Sequence, residues 1–295
     1  MCSVLNGARS KPRADNQPDD DEAAGADGCC GLDKAKVLPT AIYLDSSCLD
    51  TYLKGARAFG VGPFIISEYV LAEISRLDVP GYERRLLALE SNGVAFLRAP
   101  PLTQIMADKF GPEWEGPIDA VELNVHAALA GGAHASAKLD ALCGDLAAAF
   151  ERRYDELRPQ YADYLKRVKR GEKSLIDPRS PRNRRMLVEA AALQSLGLEV
   201  APTAASPVKE RIRWALRTWE MAMTFTRLDR QKNRVRDLRN DPIDAVHYVL
   251  AATFCAAIAT SDRGMCRIRD VIPPPGFPFL EVAVDAGAVR VTPLV

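Results

Sequence analysis

Four carboxylic acids occupy comparable places in this chain, each beside an apolar run. They are Asp45, Glu73, Asp244 and Asp262. Residues just past the strands of a parallel sheet meet at one rim of that sheet, where open α/β folds place their sites. Carboxylates that meet there repel each other unless a cation holds them, and Mg²⁺ and Mn²⁺ prefer oxygen ligands. The pattern therefore indicates metal-dependent chemistry on a phosphate group.

The first and fourth acids also have an ordinary structural interpretation. Asp45 and Asp262 each follow a strand-like run, and Asp is common as the residue that caps the next helix. Ser46 and Thr260 lie beside these acids and could orient them or a metal-bound water. Local turn hydrogen bonds would explain the two hydroxyl residues equally well, so both interpretations stay open.

The second and third acids each have a competitor nearby. Glu68 lies at a helix N-terminus, where the helix dipole favours any carboxylate, whereas Glu73 borders the buried stripe of that helix and is preferred. Asp241 and Asp244 both lie where capping acids are common, and the choice of Asp244 rests partly on the resemblance given next. His247, one turn beyond Asp244, could bond an acid or the substrate, or be a satisfied half-buried side chain.

The residues around these acids resemble the four sequence blocks of PIN-domain nucleases. Residues 42–49 are similar to the first block: an apolar strand, an Asp and small polar residues, with Ser47 where many members have Asn. Residues 66–74 are similar to the second block. Residues 244–247 and 259–263 resemble the third and fourth blocks, in the form found in VapC-like toxins and their relatives.

The resemblance implies an α/β fold: a PIN-like core with a central parallel sheet flanked by helices. It implies a metal-dependent endoribonuclease in which Asp45, Glu73, Asp244 and Asp262 hold one or two Mg²⁺ or Mn²⁺ ions. RNA is the implied substrate, and a protein antitoxin and a homodimer stay open as partners. Two alternatives are a PIN-like domain that binds nucleic acid or protein without cutting it, and a haloacid-dehalogenase-like phosphotransferase. The latter enzymes usually carry a second Asp where this chain has Ser47.

Composition divides the chain into a tail, a split core and a helical segment. Residues 1–37 are polar and contain an acidic run, which predicts a disordered tail. Residues 38–101 and 229–295 alternate strand-like and helical patterns, which is typical of an α/β core. Residues 102–228 are largely helical and predict an insertion in the core or a cap on it.

Individual elements follow from apolar spacing and from breaker residues. Strands are predicted at 41–44, 64–66, 94–97 and 255–260. In the helical segment we expect helices over 119–129 and 135–157, separated by a break at the glycine pair 131–132. After the core's last helices, a proline-rich run predicts a rigid loop over 273–278 and an edge strand over 289–292.

Charge is balanced overall but unevenly spread. The 39 Lys and Arg residues equal the 39 Asp and Glu residues, so net charge does not indicate a polyanionic partner. Residues 209–239 hold ten basic and four acidic residues, a pattern expected where a protein contacts a phosphate backbone. Residues 150–190 hold twelve basic and seven acidic residues, which fits a solvated helical face equally well. The residues we expect to bind nucleic acid are Lys232, Arg234, Arg236 and Arg239.

The cysteine pattern and the hydropathy pattern indicate the cellular compartment of the protein. The seven cysteines are odd in number and no pair has zinc-ligand spacing, which favours a reducing compartment. Residues 1–37 lack the apolar stretch of a signal peptide, and no run approaches the roughly 20 apolar residues of a membrane span. We therefore expect a cytoplasmic protein that does not associate with membranes.

Overall fold

The described part of the chain is built around one seven-stranded β-sheet in the computed structural model. The structure describes residues 40–55, 63–99, 102, 119–172, 175–178, 180–229, 241–273, 279–285 and 288–293. All of these residues belong to one compact unit. The α/β class predicted from the sequence is confirmed.

Parallel pairing dominates the sheet. The strands are β1 (Ile42–Leu44), β2 (Phe64–Ile66), β3 (Ala95–Arg98), β4 (Asp119–Glu122), β5 (Ala257–Thr260), β6 (Phe279–Asp285) and β7 (Ala288–Pro293). Their order across the sheet is β4-β3-β2-β1-β5-β6-β7. The five inner strands pair in parallel, and β4 and β7 add to the two edges in antiparallel orientation. Strand β1 therefore lies at the centre.

Helices surround this sheet. They are α1 (Leu49–Gly55), α2 (Glu68–Ile74), α3 (Val79–Ser91), α4 (Val125–Lys169), α5 (Pro181–Leu196), α6 (Val208–Asp229), α7 (Asp241–Phe254) and α8 (Arg263–Ile268). Short 3₁₀ helices cover Ser46–Cys48 and Arg269–Val271. Helix α7 contacts β1 and β5, and the long helix α4 contacts α2, α3, α6 and α7. No described helix combines the length and apolar character needed to cross a bilayer.

The core forms where apolar runs are covered on both faces. Every residue of β1, β2 and β5 is buried, as expected for the central strands of a parallel sheet. Between the helices, the rings of Trp219 on α6 and Tyr248 on α7 lie 4.8 Å apart, and both side chains are buried. Burying a large apolar side chain contributes about 1.5–3 kcal/mol, so these runs supply much of the stability.

The prediction of a helix over 119–129 is wrong for its first residues. Asp119–Glu122 is strand β4, which pairs with β3 at the sheet edge. The helix begins only at Val125, because the Asn124 side chain accepts a hydrogen bond from the Ala127 backbone N–H at 2.9 Å and caps it. The segment expected to be helical thus contributes a strand to the central sheet.

The break predicted at the glycine pair is also wrong. Helix α4 continues for 45 residues through Gly131, Gly132 and Pro159. Gly132 is buried, and a Cβ at that position would lie 3.0 Å from Ser75 Cβ and 3.0 Å from Tyr82 Cε1. The absence of a side chain therefore lets α4 approach α2 and α3 closely, which offsets the low helix propensity of glycine.

The C-terminal strands were predicted only in part. Strand β7 confirms the edge strand expected over 289–292. Strand β6 was not predicted, because its apolar sequence directly follows the proline-rich run. Most of the loop expected over 273–278 lies outside the described residues.

The two neighbouring glycines of α4 should respond oppositely to alanine. Gly131→Ala should stabilise the protein by about 0.5–1 kcal/mol, because a Cβ there meets nothing within 4 Å and alanine favours the helix. Gly132→Ala should destabilise it, because Ser75 and Tyr82 are held by hydrogen bonds to Gly132 O and Ala128 O and cannot easily yield. Urea unfolding of both variants measures the difference, and equal stabilisation would show that the helices do not approach closely at Gly132.

Candidate metal centre

The parallel strands bring distant parts of the chain to one edge of the sheet. Strands β1, β2 and β5 run in the same direction, so their carboxyl ends share that edge. Asp45 directly follows β1, and Asp262 follows β5 by two residues. Glu73 lies on α2, which follows β2, while Asp244 and His247 lie on α7, which precedes β5.

Asp45 is held by hydroxyl groups. Its Oδ2 accepts hydrogen bonds from Ser47 Oγ at 2.5 Å and from Thr260 Oγ1 at 2.7 Å. The residue is only 3% exposed, and its side chain accepts no hydrogen bond from a backbone N–H of the 3₁₀ helix Ser46–Cys48 that follows it. The Asp45 side chain therefore does not cap the backbone of that helix, and hydroxyl groups of Ser47 in the 3₁₀ helix and of Thr260 at the end of β5 orient its carboxylate instead.

The same hydroxyl residues tie the turn after β1 to the turn after β5. Ser47 Oγ lies 3.1 Å from Thr260 Oγ1 and accepts the Ser261 backbone N–H at 3.1 Å. Ser261 Oγ in turn donates to Ser47 O at 2.6 Å, and Asp262 N donates to Thr260 Oγ1 at 3.0 Å. These bonds fix the two acid-bearing turns against each other. Ser47 was not assigned a site role from the sequence.

A buried histidine connects the first and second acids. His247 is 1% exposed, and its Nε2 lies 2.7 Å from Glu73 Oε2 and 3.9 Å from Asp45 Oδ1. Its Nδ1 lies 2.8 Å from Tyr43 Oη, which lies 2.7 Å from Ser67 Oγ. One ligand atom each from Asp45, Glu73 and His247 fall within 4.8 Å of one another. This three-residue group is called the Asp45–Glu73–His247 cluster below.

Charge and hydrogen bonding shift the protonation of this cluster. Burial raises the pKa of Glu73, but the charge of His247 and the hydrogen bonds from His247 and Ser46 outweigh it, so that pKa is lowered. Burial lowers the pKa of His247, but the charge and hydrogen bond of Glu73 and the charge of Asp45 raise that pKa to about 9. Without a bound cation, Glu73 and His247 therefore form an ion pair at neutral pH.

Asp244 and Asp262 lie beside the cluster. A Cβ on Gly264 would lie 2.8 Å from Asp262 Oδ1 and 3.8 Å from Asp244 Oδ2, so both carboxylates approach the same glycine. Burial and the charges of Asp262 and Asp45 raise the pKa of Asp244 to about 8. Asp262 also caps α8, as the helix-cap interpretation predicts: its Oδ1 accepts a hydrogen bond from the Met265 N–H at 2.8 Å.

Two buried residues that support the site, Tyr43 and Ser67, were not predicted from the sequence as site residues. Tyr43 precedes Asp45 by two residues in an extended segment, so both side chains face the same side. The alternation of side chains along the strand could therefore have indicated that Tyr43 lies on the same side as Asp45. Ser67 caps α2 by accepting the Tyr69 N–H at 3.2 Å, and its contact with Tyr43 joins two segments that sequence patterns treat separately. Among the described residues, Glu73 lies in the metal-ligand cluster and the competing Glu68 does not.

Part of the basic segment 209–239 is used inside the protein. Arg211 donates a hydrogen bond to Thr253 O, and Arg217 pairs with buried Glu220. These arginines therefore serve the packing of α6, which weakens the expected phosphate-binding pattern. Outside the described residues lie the expected nucleic-acid-binding residues Lys232, Arg234, Arg236 and Arg239, the tail 1–37, and the side chain of Asp241.

Comparisons of the chain with protein-family models, with curated proteins and with solved structures returned no significant match. The PIN-domain resemblance therefore remains a prediction from the four sequence blocks.

The metal-free protein should lose thermal stability as the pH rises from about 6.5 to about 9. The folded-state pKa of His247 is raised from 6.5 to about 9, so the stability gained from its proton is complete below pH 6.5 and is lost as the pH passes 9. Asp244 acts in the same direction, because its pKa is raised from 3.8 to about 8 and the folded protein disfavours its charge. Melting temperatures in EDTA across this range test the trend.

A matched pair of variants measures how much Asp244 contributes to this loss of melting temperature with rising pH. Asp244→Asn should raise the melting temperature near pH 8 and flatten the profile, whereas Asp145→Asn, at an exposed site on α4, should leave the profile unchanged. Identical profiles for the two variants would show that Asp244 does not carry an unfavourable charge.

Thr260→Val should destabilise the protein by about 1–3 kcal/mol, the cost of leaving a buried polar group without its partner. Valine keeps the shape of threonine, but Asp45 Oδ2 loses a donor and the Asp262 N–H loses its acceptor. Thr260→Ser retains the hydroxyl and should lose clearly less stability in urea unfolding. A loss in Thr260→Ser as large as the loss in Thr260→Val would contradict a dominant role of the hydroxyl.

Proposed function

We propose that the protein is a metal-dependent endoribonuclease whose site is built on the Asp45–Glu73–His247 cluster. The observation that carries this proposal is the convergence of carboxylates from separate segments at the carboxyl edge of β1 and β5. A second observation supports it: the pKa of Asp244 is raised to about 8 by burial and by the charges of neighbouring acids. Strongly shifted pKa values of this kind cluster at functional sites.

The donor set fits a divalent cation. Four carboxylates act on one another at this edge: the charges of Asp262, Asp45 and Glu73 raise the pKa of Asp244, and the positive charge of His247 opposes them. Carboxylate oxygens are the preferred protein ligands of Mg²⁺ and Mn²⁺, and a cation would relieve the repulsion. Asp45, Glu73 and Asp244 would hold it, with Asp262 at the side of Asp244.

The chain's own residues prepare the site. The hydroxyls of Ser47 and Thr260 fix Asp45 Oδ2, which leaves Oδ1 directed toward His247. The charge of His247, together with hydrogen bonds from His247 and Ser46, lowers the pKa of Glu73, so an anionic ligand is present at neutral pH. Asp244 holds a proton in the metal-free protein and would release it when positive charge enters.

A divalent cation, when bound there, supplies Lewis acidity that polarises a phosphodiester and a water, and it neutralises charge on the leaving oxygen. The protein residues hold the reacting groups in place, and the charge and hydrogen bond of His247 keep Glu73 ionised for this task. RNA as the substrate rests on the resemblance of the four sequence blocks to PIN domains, as does a toxin-like role.

A phosphotransferase of the haloacid-dehalogenase kind is less well supported. Such enzymes usually carry a second Asp two positions after the first. Here Ser47 occupies that position, and its hydroxyl donates to Asp45 Oδ2. A serine hydroxyl does not titrate near neutral pH, so it cannot replace the second acid.

Asp45→Asn should abolish cleavage of labelled RNA while the fold remains intact. The amide keeps the size of the side chain but removes the charge that holds a hard cation. We expect a loss larger than the roughly 10–100-fold that removing an outer-shell partner causes. Cleavage is measured on RNA and DNA of the same sequence with Mg²⁺, Mn²⁺ or EDTA, and circular dichroism checks the fold.

Asp50→Asn is the matched control for this experiment. Asp50 is an exposed acid five positions away that pairs with Arg85 at the surface, and a surface pair contributes about 0–1 kcal/mol. Its variant should cleave at the wild-type rate. Cleavage by Asp45→Asn at that same rate, or cleavage by the wild type that EDTA does not stop, would refute the proposal.

A further inference from the structure

The donor atoms of the Asp45–Glu73–His247 cluster are not all oxygens. Nε2 of His247 lies 2.7 Å from Glu73 Oε2 and 3.9 Å from Asp45 Oδ1, and the histidine is almost completely buried. An ion that bound Asp45 and Glu73 together would therefore come within reach of this nitrogen. The three ligand atoms already lie within 4.8 Å of one another.

The other ring nitrogen is held in the manner of metal-binding histidines. Such a histidine almost always bonds its second nitrogen to a protein group, which fixes the ring. Here Nδ1 lies 2.8 Å from Tyr43 Oη, and Tyr43 Oη lies 2.7 Å from Ser67 Oγ. Nδ1–H can donate to Tyr43, which can donate to Ser67, and this arrangement leaves Nε2 as the atom that faces the acids.

We infer that His247 is a direct ligand of the cation through Nε2, so that the centre is a mixed nitrogen and oxygen site that prefers Mn²⁺, Co²⁺ or Zn²⁺ to Mg²⁺. Imidazole suits transition-metal ions, whereas Mg²⁺ selects oxygen ligands and retains its waters. The inference concerns the same site as the proposed nuclease and rests on that site binding a cation. It replaces the all-carboxylate ligand set expected from the sequence.

The competing role for His247 is a permanent ion pair with Glu73. In that role the Nε2 proton stays on the ring when a cation binds, and only oxygens coordinate the ion. In the role inferred here, the ion takes the place of the Nε2 proton, and one proton is released from the ring. The two roles therefore differ in one measurable property, which is the presence of nitrogen in the coordination shell.

Pulsed electron paramagnetic resonance of the Mn²⁺-loaded full chain, without an affinity tag, detects this nitrogen. The chain has three histidines, and the other two, His126 and His134, are exposed on α4. The double variant His126→Gln/His134→Gln retains only His247. It should still give the ¹⁴N coupling of a bound imidazole, and His247→Gln should lose it.

Metal affinities give a second readout. Co²⁺ and Mg²⁺ are each titrated against bound Mn²⁺ in the wild type and in His247→Gln. The variant should weaken Co²⁺ binding by at least about 10-fold more than it weakens Mg²⁺ binding. Tyr43→Phe keeps the ligand but removes the group that holds Nδ1, so it should weaken Co²⁺ binding by a smaller factor.

Absence of ¹⁴N coupling in the double variant, or equal losses of Co²⁺ and Mg²⁺ affinity in His247→Gln, would overturn the inference. If His247→Gln fails to fold, the coupling in the double variant decides alone. Failure of Mn²⁺ to bind also overturns it. The proposed nuclease is judged separately by RNA cleavage: nitrogen coupling without cleavage would reject the reaction, and Mn²⁺-dependent cleavage without coupling would reject only the ligand.

Discussion

The contact between buried His247 and partly buried Glu73 is the interaction on which the site depends. Carboxylates crowded at the sheet edge repel each other strongly because little water screens them, and His247 supplies positive charge among them. The contact also joins α7 to α2, and Tyr43 links the same histidine to the central strand β1. Removing either partner would leave the other charge uncompensated, so this one contact influences both the fold and the chemistry.

The helical segment is part of the framework that holds this site. Helix α4 lies against α2, the helix that carries Glu73, and Arg76 of α2 pairs with Asp140 of α4. Burial raises the pKa of Cys143 on α4 to about 12, and the charges of Arg76, Asp140 and Glu73 also act on this thiol. The close approach at Gly132 brings the two helices together. The segment therefore helps to position an acid of the site.

Two hydroxyl groups, and not the backbone N–H groups of a helix N-terminus, orient the carboxylate of Asp45. Ser47 and Thr260 saturate Oδ2 from two different turns, which leaves Oδ1 on the side of His247. A carboxylate fixed in this way presents one defined oxygen to an ion, so less entropy is lost on binding than from a mobile side chain. The cluster thus combines an oriented acid, an ionised acid and an oriented imidazole.

Local sequence patterns determined the α/β class, the buried strands β1, β2 and β5, and the presence of an acid near the end of each. These features depend on short-range periodicity and on helix-start chemistry, which a single chain displays directly. The pattern could not show that Thr260 bonds Asp45 across 215 positions or that His247 meets Glu73 across 174. Nor could it show that Gly132 packs against α2 instead of ending a helix, or that 119–122 pairs with β3. These features were decided by tertiary structure, because each depends on which groups the parallel sheet brings within hydrogen-bond or van der Waals distance.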